Sequence, residues 1–287
     1  MTLTIKDYLE TGESLAFGRL ADADVVVGGS YGEIVPRPWA SVSKLVAAVG
    51  VHIAIEDGSL ALGSGLGDFD IPVEELLSHS SGLATGEAND PRLVAPDNIE
   101  PSTAPRTRRI YSNIGYELLG RGLERVSSMT YRDYIREAVF EPAGMAGASV
   151  DPELATTGAA FGLSGTIDDL VKLVRVLSVP SILADVSLLR FRTPFLGELP
   201  GILPGFGLQT PNPWGLGAEV RGHKVAHWMG TLVSEASYGH FGQSGSYLWI
   251  DPSQQCFAVF LGAKPFGAWA KERWPSINDA VMRAMTG

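Results

Sequence analysis

Ser41-Val42-Ser43-Lys44 follows Pro36-Arg37-Pro38-Trp39-Ala40 and opens a stretch, residues 41–56, in which apolar residues return at helical spacing. Pro36 and Pro38 bar regular structure up to Trp39, and Asp57-Gly58 ends the helix. Residues i and i+3 share a helix face, so the Lys44 ammonium can reach the Ser41 hydroxyl. A helix N-terminus favours negative charge developing at a nucleophile, and a serine hydroxyl needs such a base at neutral pH. Taken alone, the same four residues also read as an N-cap serine followed by a solvated lysine. Leu45, Val46, Val49 and Ile53 would form the buried face of this helix, which leaves His52 on its surface.

Two further stretches carry chemistry. Tyr111-Ser112-Asn113 precedes a strong helix pattern over residues 113–127. A phenol can act as a general base where a nearby ammonium lowers its pKa, and the Asn113 amide can both donate to and accept from a substrate amide. The bland reading is a turn tyrosine and an asparagine helix cap. His240-Phe241-Gly242-Gln243 lies just before the terminal strands. A strand edge there could offer a backbone N–H to an oxyanion, with Gly242 permitting close approach; the bland reading is an ordinary loop histidine.

Together, and in this order, the three stretches resemble the serine β-lactamase-like, penicillin-binding-protein superfamily. The likeness is to the branch holding class C β-lactamases, D-aminopeptidases and family VIII carboxylesterases, which carries Ser-x-x-Lys, Tyr-x-Asn and Lys/His-x-Gly. Glu75-Leu76-Leu77-Ser78-His79-Ser80-Ser81-Gly82-Leu83, Tyr111 through Gly120 (YSNIGYELLG) and Phe140-Glu141-Pro142-Ala143-Gly144-Met145 resemble further segments of the family, as does the stretch from Gly239-His240 to Asp251-Pro252. The resemblance implies Ser41 as the acylated nucleophile, Lys44 as the group that abstracts or relays its proton, and Tyr111 as its partner in activating water. It implies Asn113 on the acyl side, His240 opposite Tyr111, and the N–H groups of Ser41 and Gln243 as the oxyanion hole. It implies no cofactor and no metal.

Two departures stand out. His240 replaces the lysine usual in efficient β-lactamases and transpeptidases. Histidine is mostly neutral at pH 7, so carboxylate recognition should weaken, a change that esterase-like members tolerate. Residues 21–39 also show one clear strand, residues 24–28, where the family has a hairpin; this strand reads as buried.

The element pattern gives an α+β fold, an antiparallel sheet flanked by helices plus a helix-rich lobe. Residues 1–57 and 205–287 would form a discontinuous sheet subdomain and residues 58–204 a helical one, with the site between them. Tyr247-Leu248-Trp249-Ile250 and residues 257–261 read as strands, residues 4–10 and 268–285 as helices. Thr130 with Asp133 and Thr166 with Asp169 read as helix caps. Residues 84–109 are rich in Pro, Asp, Asn and Arg with no clear period, residues 190–215 are Pro/Gly-rich, and loops this long often carry function.

Composition excludes several classes. With 287 residues, 45% of them hydrophobic, the chain can bury a real core. The formal charge of -10 repels nucleic acid, and Arg106, Arg108 and Arg109 are too short a cluster to offset it. The single cysteine, Cys256, sits in an apolar run and reads as a buried thiol. No secretory signal is seen and no apolar run reaches the ~18 residues of a membrane span, so a soluble, cytoplasmic protein is expected. Gly28-Gly29-Ser30-Tyr31-Gly32 matches a nucleophile elbow, yet prolines stand where the helix should follow. His223 and His227 read as structural, since i and i+4 on a strand lie about 13 Å apart; His79 reads as packing near the active-site wall. The function expected is an acyl-enzyme serine hydrolase acting on a small ester, amide or β-lactam. The alternative is a non-hydrolytic β-lactam or peptide sensor, or a structural protein, of the same fold.

Overall fold

The computed structural model describes residues 4–286, so Met1–Leu3 and Gly287 lie outside the described residues. Its main elements are β1 (Ser14–Leu20), β2 (Val25–Tyr31), α1 (Ser43–Glu56), α2 (Asn113–Ser127), α3 (Ile167–Ser178), β3 (Glu219–Val220), β4 (Tyr238–Phe241), β5 (Tyr247–Asp251), β6 (Cys256–Leu261) and α4 (Ala268–Thr286). The sheet is antiparallel, in the order β3-β4-β5-β6-β1-β2, so the two ends of the chain meet where β1 pairs with β6. This is the α+β arrangement that the element pattern implied.

Strict alternation along these strands sends side chains to two cores. Leu15, Phe17, Tyr247, Trp249, Ala258 and Phe260 face α4, where Trp274, Ile277 and Val281 meet them. Ala16, Leu248, Ile250, Phe257, Val259 and Leu261 join the other core with α1, α2 and α3. Burial on both faces explains why β5 and β6 read as unbroken apolar runs. The helix caps form as their sequences require. Thr166 accepts from the Asp169 N–H at 3.2 Å, and the Asp169 carboxylate accepts from the Thr166 N–H at 2.9 Å. Thr130 accepts from the Asp133 N–H at 3.1 Å.

The structure corrects several expectations. The N-terminal hairpin is complete: β1 pairs with β2 along its length. β1 escapes notice because Gly18 breaks its apolar pattern, and a Cβ there would lie 2.0 Å from the Val26 carbonyl oxygen. β2 is an exposed edge, not a buried strand; Val26 is 58% and Val27 47% exposed. Gly28 through Gly32 fall on and just after this edge, with the Phe17 ring against Gly29, so Ser30 is no elbow nucleophile. Helix α1 is buried all round from Ser43 to His52, since it runs between the sheet and the helices, and Gly50 admits Ile135 against its backbone. His52 is therefore interior, with Nε2 2.8 Å from the Leu216 carbonyl oxygen. Residues 4–10 form only a 3-10 turn, Ile5–Tyr8. The Pro/Gly-rich 190–215 region holds a hairpin of Gly201–Leu203 and Gly207–Gln209. Helix α3, within the expected helical stretch, lies against the sheet. Among the described residues no helix is long and apolar enough to cross a membrane.

The basic cluster disperses. Arg106 pairs with Glu74 and Glu75, each at 2.6 Å. Arg109 is buried and donates to the carbonyls of Ser78, Asn212 and Leu196 at 2.6–2.8 Å, and to that of Phe195. Burial pulls its pKa down to about 10, which still leaves it charged. One guanidinium thus ties three loops together beside Tyr111. Replacing Arg109 by Met strands these carbonyls in the interior, and the variant should lose about 3 kcal/mol of stability or more in urea unfolding. A loss under 1 kcal/mol would mean that the loops hold themselves.

Candidate active site

Ser41 sits on a short 3-10 turn, Ala40–Val42, that leads into α1. The turn is pinned from behind: Trp39 is fully buried, its backbone N–H donates to Leu163 at 2.8 Å and its indole N–H to Gly165 at 3.2 Å. Ala40 holds φ at +47°, an uncommon region for a residue with a Cβ. Gly242, at the end of β4, closes against this turn. A Cβ on Gly242 would lie 2.2 Å from the Trp39 carbonyl oxygen and 3.2 Å from the Ser41 nitrogen.

Ser41, Tyr111, Asn113, His240 and Gln243 all line one small pocket of about 150 Å³, together with Thr85, Trp214 and Glu219. Lys44 lies behind it, wholly buried, donating to Asn113 Oδ1 and to the Ala160 carbonyl, both at 2.7 Å. Its Nζ stands 4.8 Å from the centre of the Tyr111 ring. Burial drives the Lys44 pKa well below the usual lysine value, and the nearby Glu117 carboxylate offsets only part of this. Asn113 is thus turned inward at both ends, since its amide N–H donates to Gly86 at 2.7 Å.

Burial raises the Tyr111 pKa above that of a free phenol, and Ser41 lowers it only in part. The Tyr111 hydroxyl closes no hydrogen bond of regular geometry among the described residues. The lowering by an ammonium foreseen for this phenol is not found: burial dominates, and Ser41 is the group that lowers the pKa. His240 is buried, and desolvation together with Lys44 brings its pKa down to about 3. Its Nδ1 lies 2.6 Å from the Phe241 carbonyl oxygen, a contact in which only an N–H can donate. The ring is therefore neutral, with Nε2 as the free acceptor.

Two residues of the site, Glu117 and Glu219, had not been singled out, while His79 had been read as packing near the active-site wall. Glu117, one helical turn past Asn113, accepts from the Thr157 N–H and hydroxyl and from the Ala160 N–H at 2.6–3.0 Å. It thereby fixes the segment whose carbonyl holds Lys44; its i+4 spacing from Asn113 was the available signal. His79 accepts from the Ser112 N–H at 3.0 Å and packs its ring 4.7 Å from that of Tyr111, so it positions the tyrosine. Glu219 is buried in the pocket wall. Burial alone would raise its pKa, but Lys224 and His227, each 2.7 Å away, hold it well below the usual carboxylate range. His227 belongs to this buried cluster, while His223 is exposed beside Glu235, so the two histidines do not converge. No group of metal-ligating side chains occurs among the described residues.

Comparison with known proteins bears on the family and the fold. The family model described as Beta-lactamase matches residues 23–282. The crystal structure of a β-lactamase from Mycobacterium bovis is 35% identical, covers 96% of each chain and superposes with a TM-score of 0.86. That of a D-amino acid amidase from Ochrobactrum anthropi is 20% identical and has a TM-score of 0.73, covering 98% of this chain and 96% of the amidase. Penicillin-binding protein 4* of Bacillus subtilis is 28% identical over 128 residues, 37% of this chain and 28% of that protein. The matched stretches span between 28% and 49% of the length of the curated relatives.

The contact at Gly242 yields a direct test. In Gly242→Ala either the strand end or the Ser41 turn must move, and a shift approaching 1 Å at a nucleophile costs about 100-fold in rate. Phosphonylation of Ser41 by a fluorophosphonate probe, with loss of fluoride, should slow by that order while the variant still unfolds cooperatively. Labelling at the wild-type rate would show that the strand end does not position the serine.

Proposed function

The chain belongs to the Beta-lactamase family, and we propose that it is a serine hydrolase that opens small, uncharged esters through an acyl-enzyme on Ser41. The observation that carries this reading is the buried Lys44 amine: it is fully desolvated, held by two neutral acceptors, and displaced toward its unprotonated form. In the proposed mechanism Lys44 takes the Ser41 proton. Tyr111 keeps its own proton at rest, and so serves as a relay that gives one proton as it receives another. Ser41 Oγ attacks the ester carbonyl, and the N–H groups of Ser41 and Gln243 hold the oxyanion. A donor of this kind supplies about 3 kcal/mol to the transition state. The leaving alcohol takes the relayed proton, and water activated by the same pair releases the acid.

The preference for uncharged esters rests on His240. A neutral ring there offers no cation to a substrate carboxylate, and Lys224 is already paired with Glu219 of the same wall. β-Lactams and peptide-like amides, which bear carboxylates, are disfavoured on this reading.

The sign of the pH dependence follows from Lys44. It acts as a base only when unprotonated, so activity rises with pH, and a lowered pKa moves that rise to lower pH. The kcat/KM for p-nitrophenyl acetate should climb along a limb centred below 10.5, the ordinary lysine value. A limb centred at or above that value would remove Lys44 as the base.

A panel of p-nitrophenyl esters, nitrocefin and D-amino-acid amides, run on wild type beside Ser41→Ala, tests the function. Wild type should release p-nitrophenol steadily, turn over nitrocefin less efficiently, and be labelled by a fluorophosphonate at Ser41. Ser41→Ala should lose the label and at least about 1,000-fold in turnover. Acylation without release would favour the sensor reading, and nitrocefin turned over better than butyrate esters would reverse the substrate preference.

A further inference from the structure

A second cavity, about 530 Å³, opens beside the catalytic pocket and shares Thr85, Tyr111 and Pro204 with it. Ile110 and Pro200 line one part, Ile202 and Leu208 another. Ile202 and Leu208 are direct cross-strand partners in the hairpin of residues 201–209, so their side chains stand together on one face. They are 64% and 71% exposed. The alternate residue, Leu203, is buried in the α4-side core. A hairpin with one face packed normally turns polar residues outward; this one turns an aliphatic pair toward a cavity next to the nucleophile.

The wall is fixed in place. The Arg109 N–H donates to the Pro200 carbonyl at 2.8 Å, and Gly201 bridges to Arg109, where a Cβ would lie 2.7 Å from the Arg109 carbonyl oxygen. The Arg109 guanidinium is committed to loop carbonyls, so the cavity keeps an apolar character beside it. Arg108 also lines the cavity and is exposed.

We propose that this cavity receives an apolar alkyl or aryl group attached next to the scissile ester bond, and that Ile202 and Leu208 set the preferred length. The substrate class is then a medium-chain uncharged ester rather than an acetate. This rests on the hydrolase reading above. Continuity with the pocket through Tyr111 and Thr85 places the occupant on a flank of the carbonyl, and the volume exceeds that of the catalytic pocket itself. Burial of one methylene is worth about a fourfold gain in kcat/KM, the rate equivalent of roughly 0.8 kcal/mol.

Two substrate series locate the group: p-nitrophenyl esters from acetate to octanoate, and acetates of alcohols from ethanol to octanol. In one of them kcat/KM should rise about three- to fourfold per methylene over several carbons. The double variant Ile202→Ser with Leu208→Ser should cut the ratio of the longest to the shortest substrate at least about tenfold. Because the ratio is read on each enzyme separately, any loss of folded protein cancels. A flat response in both series, or a rise that the double variant retains, would overturn the proposal while leaving the hydrolase intact. If instead no ester is hydrolysed and no fluorophosphonate labels Ser41, the hydrolase reading fails and takes this proposal with it.

Discussion

A lysine amine sealed from water must be either paired with a charge or uncharged. Lys44 has Asn113 Oδ1 and a backbone carbonyl as hydrogen-bond partners, and the nearest carboxylate, Glu117, spends its oxygens on Thr157 and Ala160. That arrangement requires three separate stretches of chain to close around one nitrogen: the first turn of α1, the start of α2 and the segment at 157–160. Gly120 belongs to the same closure, since a Cβ there would lie 2.3 Å from the Thr157 hydroxyl. The seam between sheet and helices is therefore shaped around a desolvated amine, and the position of Ser41 at the head of α1 follows from it.

The motifs were legible because each is defined by short-range spacing. Ser41 and Lys44 are separated by three residues on one helix, and Tyr111 with Asn113 flank a helix start whose cap, Ser112, accepts from the Gly115 N–H. Burial on both faces made β5 and β6 legible as well, as short unbroken apolar runs. What the sequence concealed was set by distant packing. β1 looked irregular because Gly18 makes room for the Val26 carbonyl, a contact that only the folded hairpin creates. The three valines of β2 looked interior because composition records side-chain type and not strand position; β2 is an edge. His52 looked superficial because one helix face was assumed, whereas α1 has none turned to water along most of its length. The three arginines at 106–109 were read only as a short basic cluster, and the sequence did not tell that they turn separately to carboxylates, to the surface and to carbonyls. The wall cluster of Glu219, Lys224 and His227 carried no readable spacing at all, because its meaning lies in burial.

The proposed substrate class turns on position 240. Protonating a histidine whose pKa is about 3 costs roughly 5 kcal/mol at pH 7. A substrate carboxylate 4 Å away would return roughly 4 kcal/mol at the effective dielectric of a protein site. The two figures are of similar size, and the carboxylate's own desolvation adds to the cost, so on the proposed reading this wall stays uncharged. On the proposed reading, with no charge to grip on that side, affinity comes from contact with uncharged surface, and the aliphatic face of the 201–209 hairpin is the surface that adjoins the pocket of Ser41. The two proposals then support each other: a wall that offers an anion no cation, next to a cavity that takes apolar area.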